Sequence, residues 1–308
     1  MKRTGEAPGK VILFGEHAVV YGAAAVALPL SKHVKVTLRD GNGQVDVRLP
    51  RRATIPDAHR AAAPVELLRR ALGAAFEQLD VRVDLGVPPM AGFGSSAALA
   101  VATLRALGTP KSKTRLLARA IDVESVAHGR PSGIDPAASI WGAPIRFQRT
   151  DRIRVKALRI GAPVYVVVAT AGVHGGTAPV VARIGETRRA APHLIGSAMD
   201  TLGAAADAGV KGLRTGDLDL VGRAMKIAQG ILDGFGLVGL EVRAAVQTAE
   251  AAGALGAKMS GAGGTGGALV AVCATPSAAR RVVRALKDRG VDGWVESYSA
   301  LPTERSAR

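Results

Sequence analysis

The chain has 308 residues, 48% hydrophobic and 21% charged, a balance that buries a core over one large or two medium domains and excludes wholesale disorder or a collagen-like repeat. Lys and Arg outnumber Asp and Glu by 41 to 25, a net charge of +16 that admits nucleic acid, an anionic membrane or a phosphorylated small molecule as partner. Glycine is abundant at 38 residues and aromatics are scarce at 3%, while the lone Cys273 excludes an intramolecular disulfide and points to a reducing cytoplasm.

In chain order, the apolar run Val11–Leu13 reads as a strand and is too short for the hydrophobic region of a signal peptide. Val34–Leu38 and Val45–Leu49 alternate apolar and polar residues around the turn-like Asp40-Gly41-Asn42-Gly43, so a hairpin is expected there. A helix follows from Pro64 to Gln78, then an alternating strand Val81–Leu85, a helix Ser95–Leu107 and a helix Thr114–His128 that ends at a Pro/Gly break. Past residue 150 come a buried strand Val164–Val168 and helical stretches near 178–190, 192–208, 217–232 and 239–252. The strand Ala268–Val272 and a helix from Pro276, with Thr275 as its cap, complete a mixed α+β pattern in two halves. Leu85–Leu104 and Met259–Ala279 are uncharged over membrane-spanning lengths, yet Pro88, Pro89, Gly92 and Gly94 break the first, and glycines and Pro276 the second. Basic residues never run beyond pairs such as Arg51-Arg52, and few rings are available for base stacking. The excess of arginine therefore reads as a solvated surface, and neither a membrane nor nucleic acid is expected as partner.

Four segments hold residues suited to chemistry. Pro88–Ser96 lies between a strand and a helix, so the unpaired amides of a helix start are presented at a glycine-rich tip, a setting that favours phosphate; a capped strand-to-helix turn with no ligand accounts for it equally well. Gly5–Lys10 lacks the P-loop spacing. Lys258–Gly267 contains a formal G-x-G-x-x-G at 261, 263 and 266, but it precedes a strand where a dinucleotide fingerprint follows one. Two such loops suggest a ligand held from both sides of a cleft. Glu124 and His128 share a helix face at i, i+4, as a surface contact or a metal pair. Asp135 follows Ser132 and Gly133 in a constrained turn, where its carboxylate faces a substrate hydroxyl or satisfies its own backbone. Ala7–Gly22 places Lys10, Glu16 and His17 around a short apolar strand, suited to a phosphate and a hydroxylated acid, or to ordinary surface.

Taken together, these segments resemble the GHMP small-molecule kinases, and APGKVILFGEHAVVYG at 7–22 is most similar to their mevalonate kinase branch. The other matching motifs are PPMAGFGSSAA at 88–98, the segment Glu124–Asp135, and KMSGAGGTGG at 258–267. The resemblance implies an α+β GHMP kinase two-domain fold, with a domain like the second domain of ribosomal protein S5 over 1–155, a ferredoxin-like domain over 156–308 and a site between them. It implies an ATP phosphate loop of Pro89, Ala91, Gly92, Phe93, Gly94, Ser95, Ser96 and Ala97, with Mg2+ on Glu124 and on Ser96 or its neighbour Ser95. Asp135 would be the catalytic carboxylate taking the proton of a primary hydroxyl on mevalonate, with Lys10 beside it keeping it ionised. Substrate contacts would come from Lys10, Glu16, His17, Ser132, Asp135, Thr177, Gly261, Ala262 and Gly263. Phe93 stands where leucine is usual, and Thr265 interrupts the glycine run, but neither removes a reactive group. Phosphomevalonate, whose extra charge suits +16, or a mevalonate 3-kinase-like reaction remains an alternative, as does a non-catalytic nucleotide- or nucleic-acid-binding protein on the same scaffold. Retention of Lys10, Glu124 and Asp135 together favours a kinase. A homodimer is expected at family level only.

Overall fold

The structure, a computed structural model, describes residues 2–49, 62–108, 112–129, 131–172, 185–187 and 189–299. The chain divides into two compact units, Met1–Val11 with Ala27–Phe147 and Ile12–Val26 with Gln148–Arg308. The short N-terminal stretch after Val11 therefore belongs with the C-terminal half.

In the first unit, β1 (Lys2–Phe14), β2 (Ala24–Asp40), β3 (Val45–Arg48), β4 (Leu79–Leu85) and β5 (Ile145–Arg149) build a sheet in the order β3-β4-β2-β5, with β1 on β2. Strands β1, β2 and β5 run on past the unit's boundaries. Helices α1 (Ala62–Leu72), α2 (Ser95–Ala106), α3 (Lys113–His128) and α4 (Ile134–Trp141) pack on one another. Leu79, Val81, Val83 and Leu85 alternate with half-buried or exposed residues, so β4 presents one face to the core.

The expected hairpin does not form. β4 inserts between its two arms, antiparallel to β2 with Val83 opposite Val36, and parallel to β3 with Val83 opposite Val47. The turn residues bond to the start of β4 instead of closing on themselves. Asp80 Oδ1 accepts from the amides of Asn42 and Gln44 at 3.0 and 3.1 Å, and Gly41 N donates to Gln78 O at 3.1 Å. The stretch between β3 and β4, which carries α1, is long enough for the parallel crossover. The expected helix to Gln78 ends at Leu72 and tightens into a 3-10 turn, Gly73–Gln78. β5 and α4 lay in segments with no assigned periodicity.

α2 is buried over Ala97–Leu104, on every face, which small residues permit. Gly5 of β1 sits so close to it that a Cβ there would lie 2.1 Å from the carbonyl oxygen of Ala102.

In the second unit, β6 (Ile153–Ala157) follows β5 through a turn where Thr150 N donates to Arg152 O. β7 (Val164–Ala171), β8 (Gly256–Ser260), β9 (Gly267–Cys273) and β10 (Gly293–Tyr298) form an antiparallel sheet in the order β10-β7-β9-β8. Helices α5 (Pro192–Thr215), α6 (Leu218–Gly234), α7 (Leu240–Ala251) and α8 (Pro276–Lys287) complete it, with Asp217 and Thr275 accepting from Leu220 N and Ala278 N as caps. Every residue of β8 and β9 is buried, so the glycine-rich stretch is a turn, 261–266, between two core strands. α5 runs beyond its expected end to Thr215, where Gly216 takes a left-handed conformation, φ 81°. The expected helix near 178–190 lies mostly outside the described residues. Among the described residues, no helix is long and apolar enough to cross a membrane.

Gly5→Ala is expected to lower stability by about 1–3 kcal/mol through overpacking against α2. Gly230→Ala, at an exposed helical position with none of the described residues within 4 Å of the new Cβ, is expected to raise it by about 0.5–1 kcal/mol. Urea melts of the two variants check both signs.

Candidate active site

The loop from β4 to α2 turns on three residues of positive φ: Met90 at 54°, Gly92 at 83° and Gly94 at 68°. Gly94 is the N-cap of α2, with no side-chain cap among the described residues, so the first turn, Ser95–Ala97, stands at the positive end of the helix dipole. Phe93 is 1% exposed and serves as the loop's anchor in the core, and its carbonyl accepts from Lys10 N at 2.8 Å. Pro89 and Ser95 are half-buried, and Ala91 and Ala97 are buried.

Lys10 lies on β1 and is 3% exposed. Its ammonium donates to Gly92 O at 3.1 Å and pairs with Asp135 Oδ2 at 3.1 Å. The stem passes beside Gly94, where a Cβ would fall 2.8 Å from Lys10 Cε, so the glycine is required by both its φ and its neighbour. Asp135 occupies the first turn of α4 and keeps 32% of its side chain exposed, an accessible carboxylate held by a buried cation. Gly133, at φ 93°, caps α4, and Ser132 Oγ accepts from Ile134 N at 3.4 Å. Ser139 Oγ donates to Pro8 O at 2.8 Å and fastens α4 to β1 just ahead of Lys10.

Glu124, on α3 and 2% exposed, accepts from Ser96 Oγ at 3.0 Å. Burial, then the charge of Asp135, raises its pKa to about 8, against the opposing pull of the Ser96 hydrogen bond and Lys10. The side chain of His128, the other half of the i, i+4 pair, lies outside the described residues.

The remaining sequence candidates lie in the second unit. Glu16 is 2% exposed and forms an ion pair with Lys258, whose ammonium also donates to Met259 O at 2.7 Å. His17 is half-buried at φ 61°, and its Nε2 meets Ala262 O at 3.0 Å. Burial lowers the pKa of His17 to about 4; the Ala262 hydrogen bond opposes that shift and the Lys258 charge adds to it. Gly261 and Gly263 carry φ of 95° and 79°, and a Cβ on Gly263 would sit 2.3 Å from Leu237 O. Thr177 lies outside the described residues. Sequence reasoning passed over Lys258, Ser260 and Gln229, which join this cluster; the available signal was a lysine opening an uncharged run, Met259–Ala279.

Two family models match the chain: the GHMP kinases N terminal domain over residues 59–143 and the GHMP kinases C terminal over 210–292. The mevalonate kinase of Methanothermobacter thermautotrophicus is 34% identical over 93% of this chain and 94% of its own, and that of Aeropyrum pernix 31% over 98% and 96%. The crystal structure of L. major mevalonate kinase in complex with R-mevalonate superposes with a TM-score of 0.87 at 28% identity, covering 98% of this chain and 97% of that one. The chain belongs to the GHMP kinase family. This GHMP kinase has the family's two-domain α+β fold and, as a kinase, uses ATP as its phosphoryl donor.

The raised pKa of Glu124 in this kinase has a measurable consequence. The folded protein keeps the proton up to about pH 8, whereas the unfolded chain releases it near 4.5, so the folded state binds the extra proton between these values. Glu124 therefore makes stability fall as pH rises through that window. In chelator-treated buffer, Glu124→Gln should lack this loss and become the more stable of the two toward about pH 8. Urea melts across the window test it, and parallel pH curves would remove the shift.

Proposed function

We propose that this kinase transfers the γ-phosphoryl group of ATP to the 5-hydroxyl of mevalonate, giving 5-phosphomevalonate on the route to isoprenoid precursors. Similarity along nearly the whole chain to relatives named mevalonate kinase, one solved with R-mevalonate, supports the acceptor. The observation that carries the chemistry is the Lys10–Asp135 pair, an accessible carboxylate at a helix N-terminus held by a buried lysine beside an uncapped glycine loop.

In this reading, Asp135 orients the attacking hydroxyl and accepts its proton as the new oxygen–phosphorus bond forms and the bond from the γ-phosphorus to the bridging oxygen breaks, ADP carrying that oxygen away. Lys10 fixes the carboxylate and adds positive charge beside the transferring group. The loop Pro89–Ala97 receives the ATP phosphates on its amides and on the dipole of α2. The Ser96 hydroxyl and Glu124 carboxylate are hard oxygen donors, and the buried Glu124 is held protonated until more positive charge arrives, which fits a Mg2+ site. Among the described residues, no group of three or more His, Cys, Asp or Glu stands ready to hold a metal, so the remaining ligands would come from phosphate and water. When bound, Mg2+ neutralises charge on the phosphate oxygens. His17, Ser132, Thr177 and Gly261–Gly263 are the proposed acceptor contacts, while Glu16, buried and paired with Lys258, is left without a direct one. The buried thiol of Cys273, its pKa raised to about 11 chiefly by burial, fits a cytoplasmic protein with no redox task.

An ADP-release assay with Mg-ATP across mevalonate, phosphomevalonate, homoserine and galactose tests the substrate. Turnover is expected with mevalonate, and turnover only with another acceptor would overturn the assignment. Asp135→Asn should lower kcat by about a thousandfold or more while ATP binding stays within about twofold. Near-normal kcat in that variant would exclude Asp135 as the base.

A further inference from the structure

β8 is a core strand in which Gly256, Ala257, Lys258, Met259 and Ser260 are all buried. A lysine in such a strand costs desolvation, and replacing a buried ion pair by apolar residues is often neutral or stabilising. Stability is therefore a weak reason for Lys258 and Glu16 to face each other with 0% and 1% of their side chains exposed. The pair is also incompletely satisfied, since Glu16 Oε2 is buried with no hydrogen-bond partner among the described residues.

The pair lies among contacts that converge on one short segment. Ile12 N donates to Ser260 Oγ at 2.8 Å, Glu16 pairs with Lys258, and His17 Nε2 meets Ala262 O at 3.0 Å. Between the last two contacts His17 holds φ 61° and ψ −43°, a sparsely populated conformation for a residue with a Cβ. Such a conformation persists only where neighbours over-determine it. Glu16 precedes His17, and Lys258 precedes the glycine turn by three residues, so one ion pair fixes both sides of the His17–Ala262 contact.

We propose that Lys258 is a positioning residue of this kinase: through Glu16 it holds His17 and the Gly261–Gly264 turn in the arrangement that receives the acceptor substrate. The proposal rests on the function proposed above. Its chemical effect is on the imidazole. To donate to Ala262 O, Nε2 must carry the proton, which leaves Nδ1 as an acceptor for a substrate hydroxyl. The Lys258 charge adds to burial in keeping the ring neutral.

The test uses Glu16→Gln/Lys258→Met, which removes both charges while Gln keeps the shape and an acceptor oxygen at position 16. It is expected to melt cooperatively, with KM for mevalonate raised about tenfold or more and KM for ATP within about twofold of wild type. Its His17 ring, followed by NMR, should titrate above the wild-type ring, because the Lys258 charge that adds to burial in lowering it is gone. If that variant does not fold, Glu16→Gln/Lys258→Gln, which keeps a hydrogen bond across the pair, takes its place with the same expectations. A folded variant with wild-type KM for mevalonate, or with an unmoved His17 titration, would overturn the proposal. Wild-type protein inactive on mevalonate would instead sink the functional reading, while the His17 titration would still report on Lys258.

Discussion

A lysine that cannot reach solvent must be given partners, and Lys10 organises the first unit around that requirement. Its ammonium takes Gly92 O and Asp135, its backbone amide takes Phe93 O, and its stem runs where any Cβ at position 94 would stand. The glycine loop, the start of α2 and the first turn of α4 are thereby referred to one strand. Losing the Asp135 carboxylate would leave the buried ammonium without its counter-charge, which is far costlier than losing an exposed ion pair.

The second unit uses the same device at another loop. Lys258, buried on β8, meets the carboxylate of Glu16 just ahead of a turn in which Gly261, Gly263 and Gly264 all have positive φ. In each unit a buried ammonium and a carboxylate stand beside glycines that allow close backbone approach. The exposures differ: Asp135 keeps a third of its side chain open, while Glu16 is closed off. An open carboxylate suits proton transfer to a substrate, and a closed one suits holding a neighbour in place.

Local features were legible in the sequence where one residue type has one physical use. The caps at Thr275, the apolar helix from Ser95 and the alternation in Val81–Leu85 needed only neighbours in the chain. The hairpin failed because Asp80, some 40 residues downstream, captured the turn amides, and nothing within the turn shows that competitor. β8 was hidden because glycine and lysine suggest a loop, whereas close backbone packing admits Gly256 and a paired carboxylate admits Lys258. Among the candidate residues, Lys10, Asp135, Ser96 and Glu124 could be named from motifs, but that Glu124 contacts Ser96 and that Glu16 is spoken for by Lys258 depends on contacts no spacing encodes.

The Glu16–Lys258 pair also bears on how this chain acquires its structure. The two residues are 242 positions apart, and Ile12 N reaches Ser260 across 248. A ribosome releases Glu16 long before its partner exists, so its carboxylate must stay hydrated until nearly the whole chain has emerged. Contacts of such sequence separation are closed late and slowly, because the loop entropy is lost before the contact forms. The first unit's own cluster, from Lys10 to Asp135, is complete while β8 is still unmade. The acceptor-side residues thus belong to the last part of the fold to close.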